Sequence, residues 1–223
     1  MGRAPVLRDA DAGALHENIE AERIGQLLGV VLTCLLETFP RDFFRRCAFS
    51  AYAIRALLAR DGVGSHAVGG RFTSLVVSRH GDRYALQGFE SGPERFPHLW
   101  VATANRIIDL GPYFLPWGSP FPLQLMPPLV WSRSEPLPKG LHYEVIEVLS
   151  DNATFSSDPD VQRQADEFVS RCLAAAPTSV PFPYWLATGQ AALIHADAAG
   201  DAWVKGLVQF ERAPDGTDAQ RQS

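Results

Sequence analysis

From Ala14 to Glu37 the apolar residues Leu15, Ile19, Ile24, Leu27, Leu28, Val31, Leu32, Leu35 and Leu36 return mostly at three- and four-residue steps. That period gathers them on one stripe of an α-helix, and Pro40 closes the segment. A second helical pattern runs from about Cys47 to Arg60. Cys47, Ser50 or Ala51, Ile54 and Leu58 share one of its faces, and the glycines of "DGVGS" end it. The rhythm then shortens to two residues, with β-branched and aromatic side chains alternating in "RFTSLVVSR" (71 to 79), "RYALQGF" (83 to 89), "PHLWVAT" (97 to 103) and "RIIDLG" (106 to 111). Gly81-Asp82 and Ala104-Asn105 fall where turns are needed, so an antiparallel meander is predicted.

Residues 112 to 138, "PYFLPWGSPFPLQLMPPLVWSRSEPLP", carry eight prolines among tryptophan, phenylalanine and tyrosine. Proline lacks the amide hydrogen that a helix interior or a central strand uses, so this stretch reads as ordered but irregular. It is either a connection over the sheet or a wall of a substrate groove or subunit contact. Beyond it, "HYEVIEVLS" (142 to 150) alternates as a strand, and "SDPDVQRQADEFVSRCLAAA" (157 to 176) is a helix with Asp158 as N-cap and Pro159 in the first turn. "PYWLATG" (183 to 189) and "DAWVKGLVQFE" (201 to 211) read as further strands, and "RAPDGTDAQRQS" (212 to 223) as a polar tail. The expected fold is α+β in a single domain over 1-223, with N-terminal helices packed on an antiparallel sheet. Its helical part covers 1-60, its sheet 71-150, and a helix, added strands and the tail fill 151-223.

Composition narrows the function. A chain of 223 residues, 46% hydrophobic and 20% charged, is long enough to bury a core without staples and ordinary for a globular protein. A net charge of -5 with no cluster of Lys and Arg counts against nucleic acid as a partner, because such binding neutralises several phosphates at once. Cys34, Cys47 and Cys172 are odd in number and widely spaced, as free thiols in a reducing compartment are. "MGRAPVLRDADAG" has no apolar signal core, and "LLGVVLTCLL" (27 to 36) is too short to span a bilayer, so a cytoplasmic protein with no membrane partner is expected.

Candidate chemistry centres on Cys47. A helix N-terminus stabilises a thiolate through unpaired amide hydrogens and the positive end of the helix dipole, and Arg45 and Arg46 precede the thiol. Cys34 and Cys172 lie beside or on apolar stripes and read as core residues. A cysteine nucleophile needs a base, and the base an orienting group; His98 and Asp109 in "HLWVATANRIIDL" (98 to 110) supply both types. A two-residue loop at Ala104-Asn105 sets Asp109 opposite Trp100 and diagonal to His98, whereas a four-residue loop over 102 to 105 sets Asp109 opposite His98. Either leaves both on one face of the sheet, while a three-residue loop separates them.

The order of helix-start Cys47, "VGG" at 68 to 70, "HLW" opening a strand and "RIIDL" on the next resembles the transglutaminase-like branch of the papain-like cysteine proteinase superfamily. The pattern is similar also to a bacterial subgroup of that superfamily, a likeness that carries a fold and no substrate. It covers residues 45 to 111. It implies a papain-like cysteine proteinase fold in which Cys47 is the nucleophile, His98 the base and Asp109 its orienter, and a reaction on an amide, peptide or acyl bond. Two features depart from the pattern: Arg41 stands where papain-type members have a glutamine oxyanion donor, and "RRC" lacks the flanking Gly or Trp.

Other residues read as bystanders. His66 in "GVGSHAVGG" reads as a solvated loop histidine. A zinc site from Cys47, His66 and His98 lacks the paired short spacings of structural zinc motifs, so neither metal nor cofactor is expected. The glycines at 62, 64, 69 and 70 close a helix where a phosphate loop opens one. Glu144 and Glu147, three apart in a strand, are expected on opposite faces, which counts against a two-carboxylate site. The competing functional class is a catalytically inactive member of the same fold, with Cys47 structural and segment 112-138 facing a binding partner.

Overall fold

The computed structural model describes residues 9–81, 83–89, 96–150, 153–178 and 180–212, with side chains from residue 19 onward. The chain is α+β, with six α-helices, one short 3-10 helix and a curled antiparallel sheet of six strands among the described residues. The helices are α1 (Asp9–Thr38), α2 (Cys47–Arg60), α3 (Gly111–Gly118), α4 (Pro159–Ala175), α5 (Gln190–Ala198) and α6 (Ala202–Arg212), with the 3-10 helix at Phe43–Arg45. The strands are β1 (Ser65–Val77), β2 (Tyr84–Gly88), β3 (His98–Thr103), β4 (Arg106–Asp109), β5 (Leu129–Ser132) and β6 (Leu141–Val148).

β1 organises the sheet. Its residues Ser65 to Gly70 pair with β3 and Thr73 to Val77 with β2, while β6 pairs from Val68 to Ser74. Because the β6 register overlaps both others, β3 and β2 follow one another along one edge of β1 and β6 takes the opposite edge. β4 and β5 extend the sheet beyond β3. Of the stripe anticipated on α1, Ile24, Leu27, Leu28, Val31, Leu32 and Leu35 meet α2, α4 and the sheet residues Ala67, Leu99, Val101 and Ile108 in one apolar core, whereas Ile19 and Leu36 are exposed and Leu15 lies outside the described side chains. Burying Leu28, Leu35 or Leu57 in it is worth about 1.5–3 kcal/mol each. A second core joins Phe72, Leu75 and Val77 of β1 to Met126, Trp131 and the α6 residues Trp203 and Leu207. Buried Arg106 of β4 ties the sheet to α1 through Glu20, at 3.1 Å, and donates to the Val130 carbonyl.

Several elements differ from the pattern reading. β1 starts at Ser65, six residues before the expected strand, because Gly69 and Gly70 punctuate the sequence without ending the strand; they sit at an irregularity in the pairing with β6. The Pro-rich segment is not irregular throughout. α3 forms with Pro112 in its first turn, where the missing amide hydrogen costs nothing, and β5 uses a proline-free run between Pro128 and Pro136. Residues 202 to 212 form α6 rather than a strand, since Trp203, Val204 and Leu207 recur at helical spacing and are buried together. In 183 to 189 only a single parallel bridge, Leu129 to Ala187, is strand-like. α2 and α4 match their expected limits closely, and Asp158 caps α4 by accepting from the amides of Asp160 and Val161. Asp82 of the first turn and tail residues 213 to 223 lie outside the described residues.

Candidate active site

Cys47 is the first residue of α2, and the residue before it, Arg46, provides no side-chain cap. By helix geometry the first amide hydrogens of α2 therefore have no intrahelical acceptor. The Cys47 residue is 8% exposed. Ser50 secures the turn by donating to the Cys47 carbonyl at 2.7 Å. The two arginines before the thiol are engaged elsewhere: Arg46 pairs with Asp42 at 2.6 Å and lies over the rings of Phe39 and Phe49, and Arg45 lies over Phe44. Arg41 is exposed.

His98 opens β3 and Asp109 ends β4. The β3–β4 register, Val101 opposite Ile108 and Ala102 opposite Ile107, corresponds to the two-residue loop, in which Asp109 falls beside Trp100 and diagonal to His98. Thr103 holds that loop by accepting from the amides of Asn105 and Arg106. His98 Nε2 and Asp109 Oδ2 are 2.8 Å apart, with both side chains buried. Two further donors fix the carboxylate: the Tyr143 hydroxyl of β6 at 2.6 Å on Oδ2 and the Gly111 amide at 2.7 Å on Oδ1.

Glycine is required on both sides of His98. Gly70 is its neighbour on β1, where a Cβ would meet the Glu144 carbonyl at 2.0 Å. Extending the β3–β4 register brings Gly111 to the other side, and a Cβ there would stand 2.5 Å from His98 Cε1 and 3.0 Å from Asp109 Oδ1. Aromatic rings complete the enclosure: Phe89 stacks on the imidazole at 4.6 Å and Trp100 at 5.9 Å, with Phe72 at 5.4 Å.

Burial alone pushes the His98 ring toward its neutral form, but the Asp109 carboxylate, by charge and hydrogen bond, and the neighbouring Cys47 sulfur outweigh it and push the pKa up to about 10. Nε2 is committed to Asp109, which leaves Nδ1 for the sulfur. The sulfur is close enough to act on the ring, yet Nδ1 has no hydrogen-bond partner of good geometry, so the contact is a proximity rather than a formed bond. Burial, and then the charge of Asp109, hold the Tyr143 hydroxyl well above its ordinary range, so it remains a neutral donor to the carboxylate.

The chain therefore brings Cys47, His98 and Asp109 together and leaves the other sequence candidates apart. His66 lies not in a loop but in β1, opposite Ala102 of β3 and four residues from the Gly70 that faces His98, because β1 starts earlier than its glycines suggest. Glu144 and Glu147 share a face after all, because one extra residue in β6 sets Glu144 opposite Arg71 and Glu147 opposite Gly69. Glu144 is bound in an ion pair with Arg71 at 3.1 Å. Among the described residues no group of three His, Cys, Asp or Glu side chains is arranged to hold a metal ion.

The sequence reading missed Tyr143, Gly111 and Phe89. Only Gly111, next to the acid and followed by proline, carried a local signal. No family model matches the chain, and comparisons with curated proteins and with solved structures likewise found no match. Among the described residues no helix is long and apolar enough to cross a membrane.

Proposed function

We propose that the chain is a cysteine-dependent hydrolase or acyltransferase of the papain-like, transglutaminase-like kind, working in a reducing, cytoplasmic setting on an amide, peptide or acyl bond of a small molecule or peptide. The observation that carries this reading is the buried Asp109–His98 contact at 2.8 Å whose other ring nitrogen is left to the Cys47 sulfur. In the reaction, a Cys47 thiolate beside a His98 imidazolium attacks the carbonyl carbon and forms a C–S bond. The carbonyl oxygen takes up negative charge opposite the amide hydrogens at the start of α2, each such donor being worth roughly 3 kcal/mol. His98 passes its Nδ1 proton to the leaving amine as the C–N bond breaks, which leaves a thioester on Cys47. Neutral His98 then removes a proton from water or an acceptor amine, which attacks the thioester and releases the sulfur. Asp109, held by Tyr143 and Gly111, keeps Nε2 protonated and the ring oriented throughout.

One observation favours a second reading, a catalytically inactive member of the fold that binds a partner: the Cys47 residue is nearly enclosed, at 8% exposure, and Nδ1 makes no formed bond. Hydrogen bonds at such sites commonly tighten only once substrate is bound, so the enzyme reading stands first. Alkylation by iodoacetamide separates the two. The enzyme reading expects Cys47 to react at neutral pH at least about a hundred times faster than Cys34 and Cys172, and His98→Ala to remove that advantage. Equal rates at the three thiols, or an advantage untouched by His98→Ala, establish the binding-protein reading instead.

A further inference from the structure

Two of the three thiols are neighbours. Cys34 of α1 and Cys172 of α4 are buried in the one apolar core where these helices pack on each other. Their sulfurs are close enough to act on one another by charge and as hydrogen-bonding partners. An ion pair fixes the two helices at the same level. Arg171, the residue before Cys172, holds Glu37, which follows Cys34 by three positions and so lies on the same side of α1. The Arg171 guanidinium also reaches the Cys34 sulfur. Cys47 is not in this group, since its own neighbour is His98.

The cluster is layered. The side chains of Arg171 and Glu37 are 50% and 54% exposed. Cys34, at 2% exposure, lies directly beneath that pair, and Cys172, at 0%, lies deeper. A cation beside a sulfur near solvent is the setting in which thiols are oxidised, and a second thiol in reach of the first is the partner that turns the oxidised sulfur into a disulfide. Position therefore makes Cys34 the attacking sulfur and Cys172 the resolving one.

We propose that Cys34 and Cys172 form a redox-active dithiol, which a small peroxide converts into a disulfide that bolts α1 to α4. The Cys34 thiolate attacks one peroxide oxygen, the O–O bond breaks, hydroxide leaves, and a sulfenic acid remains on Cys34. The Cys172 sulfur then attacks the Cys34 sulfur. The S–S bond forms as the sulfenic hydroxyl and the Cys172 proton leave as water, and the earlier hydroxide takes the proton that Cys34 gave up. Two thiols and one hydrogen peroxide thus yield one disulfide and two waters. The first step also prepares the second, because a neutral sulfenic acid at Cys34 no longer opposes a negative charge on Cys172. In a reducing compartment such a bond is transient, and thiol exchange restores the dithiol. The modification requires nothing of the thiol-enzyme reading.

The full chain, reduced beforehand, is exposed to hydrogen peroxide under native conditions, alkylated with iodoacetamide in urea, digested and read by mass spectrometry without reductant. The expected product is a peptide pair joined through Cys34 and Cys172, two hydrogens lighter than its separate thiol peptides, with Cys47 absent from every cross-link. Dithiothreitol should reverse the bond, and the bonded chain should unfold at a urea midpoint about 1 M above that of the reduced chain. In Cys172→Ala, dimedone is expected to mark the sulfenic acid on Cys34; in Cys34→Ala it should leave Cys172 unmarked. The proposal is overturned if Cys34 and Cys172 are both still alkylated after Cys47 has been fully oxidised, or if they link only once the chain is unfolded. A cross-link that prefers Cys47, an unchanged urea midpoint, or dimedone on Cys172 in Cys34→Ala overturns it equally.

Discussion

Cys47 and Cys172 are the same residue type, both buried and both on helices, yet their surroundings differ. Cys172 of α4 is fully enclosed among the apolar side chains between α1 and α4. Burial, and then the nearby Cys34, push its thiol up, so it stays protonated and packs as a small hydrophobe. Cys47 stands at the open amide end of α2 beside a histidine whose own charge is sustained by a carboxylate. Burial silences a thiol among hydrocarbons but confines one that faces an imidazolium. The neighbours decide, and the neighbour of Cys47 is an imidazole of β3 held by Asp109 of β4, which Tyr143 of β6 holds in turn.

The comparison is broken most severely by removing the carboxylate. Asp109→Ala leaves His98 and the Tyr143 hydroxyl buried without their shared partner and is expected to lower stability by about 3–5 kcal/mol in urea unfolding. It is also expected to reduce Cys47 alkylation toward that of the core thiols; an unchanged unfolding midpoint would mean that the carboxylate does not hold the pair. A smaller effect follows from charge alone. Because the His98 pKa is raised above its ordinary value of 6.5, the stability conferred by its proton is complete below about pH 6.5 and is lost as pH rises toward about 10. Asp109→Asn should therefore be less stable than the natural protein by roughly 1.5–3 kcal/mol at pH 6, with the gap narrowing steadily to pH 10. A gap that is constant, or that widens with pH, contradicts an imidazolium at residue 98. The smallest effect sharpens the contrast between the thiols themselves. Cys172→Ala, which opens space inside an apolar core, is expected to cost about 1–2 kcal/mol. Cys47→Ala, at a helix start on a polar site, should cost under about 1 kcal/mol by the same unfolding measurement. Equal losses would make Cys47 one more packing residue.

Much of the scaffold could be read along the chain because it depends on local periodicity. The stripe on α1, the limits of α2, the cap of α4 and the turn at Ala104-Asn105 each follow from residues within a few positions of one another. The readings that went astray did so where local signals conflict with distant partners. Gly69 and Gly70 look like a break, but they stand inside a strand where Phe96, Glu144 and Trp100 from neighbouring segments leave no room for a Cβ. The run after Asp201 alternates well enough to pass for a strand, yet it folds as a helix because Trp203 and Leu207 pack on β1 from one side, with the Trp203 indole donating to the Leu75 carbonyl at 2.8 Å.

The site divides in the same way. Residue types and their order along the chain were enough to nominate Cys47, His98 and Asp109, because a thiol at a helix start and an imidazole and carboxylate on adjacent strands are features of short stretches. Which hairpin register applies, the donation from Tyr143 to Asp109 and the glycine beside the imidazole were decided only by tertiary structure. Each depends on segments far apart in the chain meeting at a few ångströms, and no local pattern of polar and apolar residues encodes a distance between strands that pair only after the chain has folded.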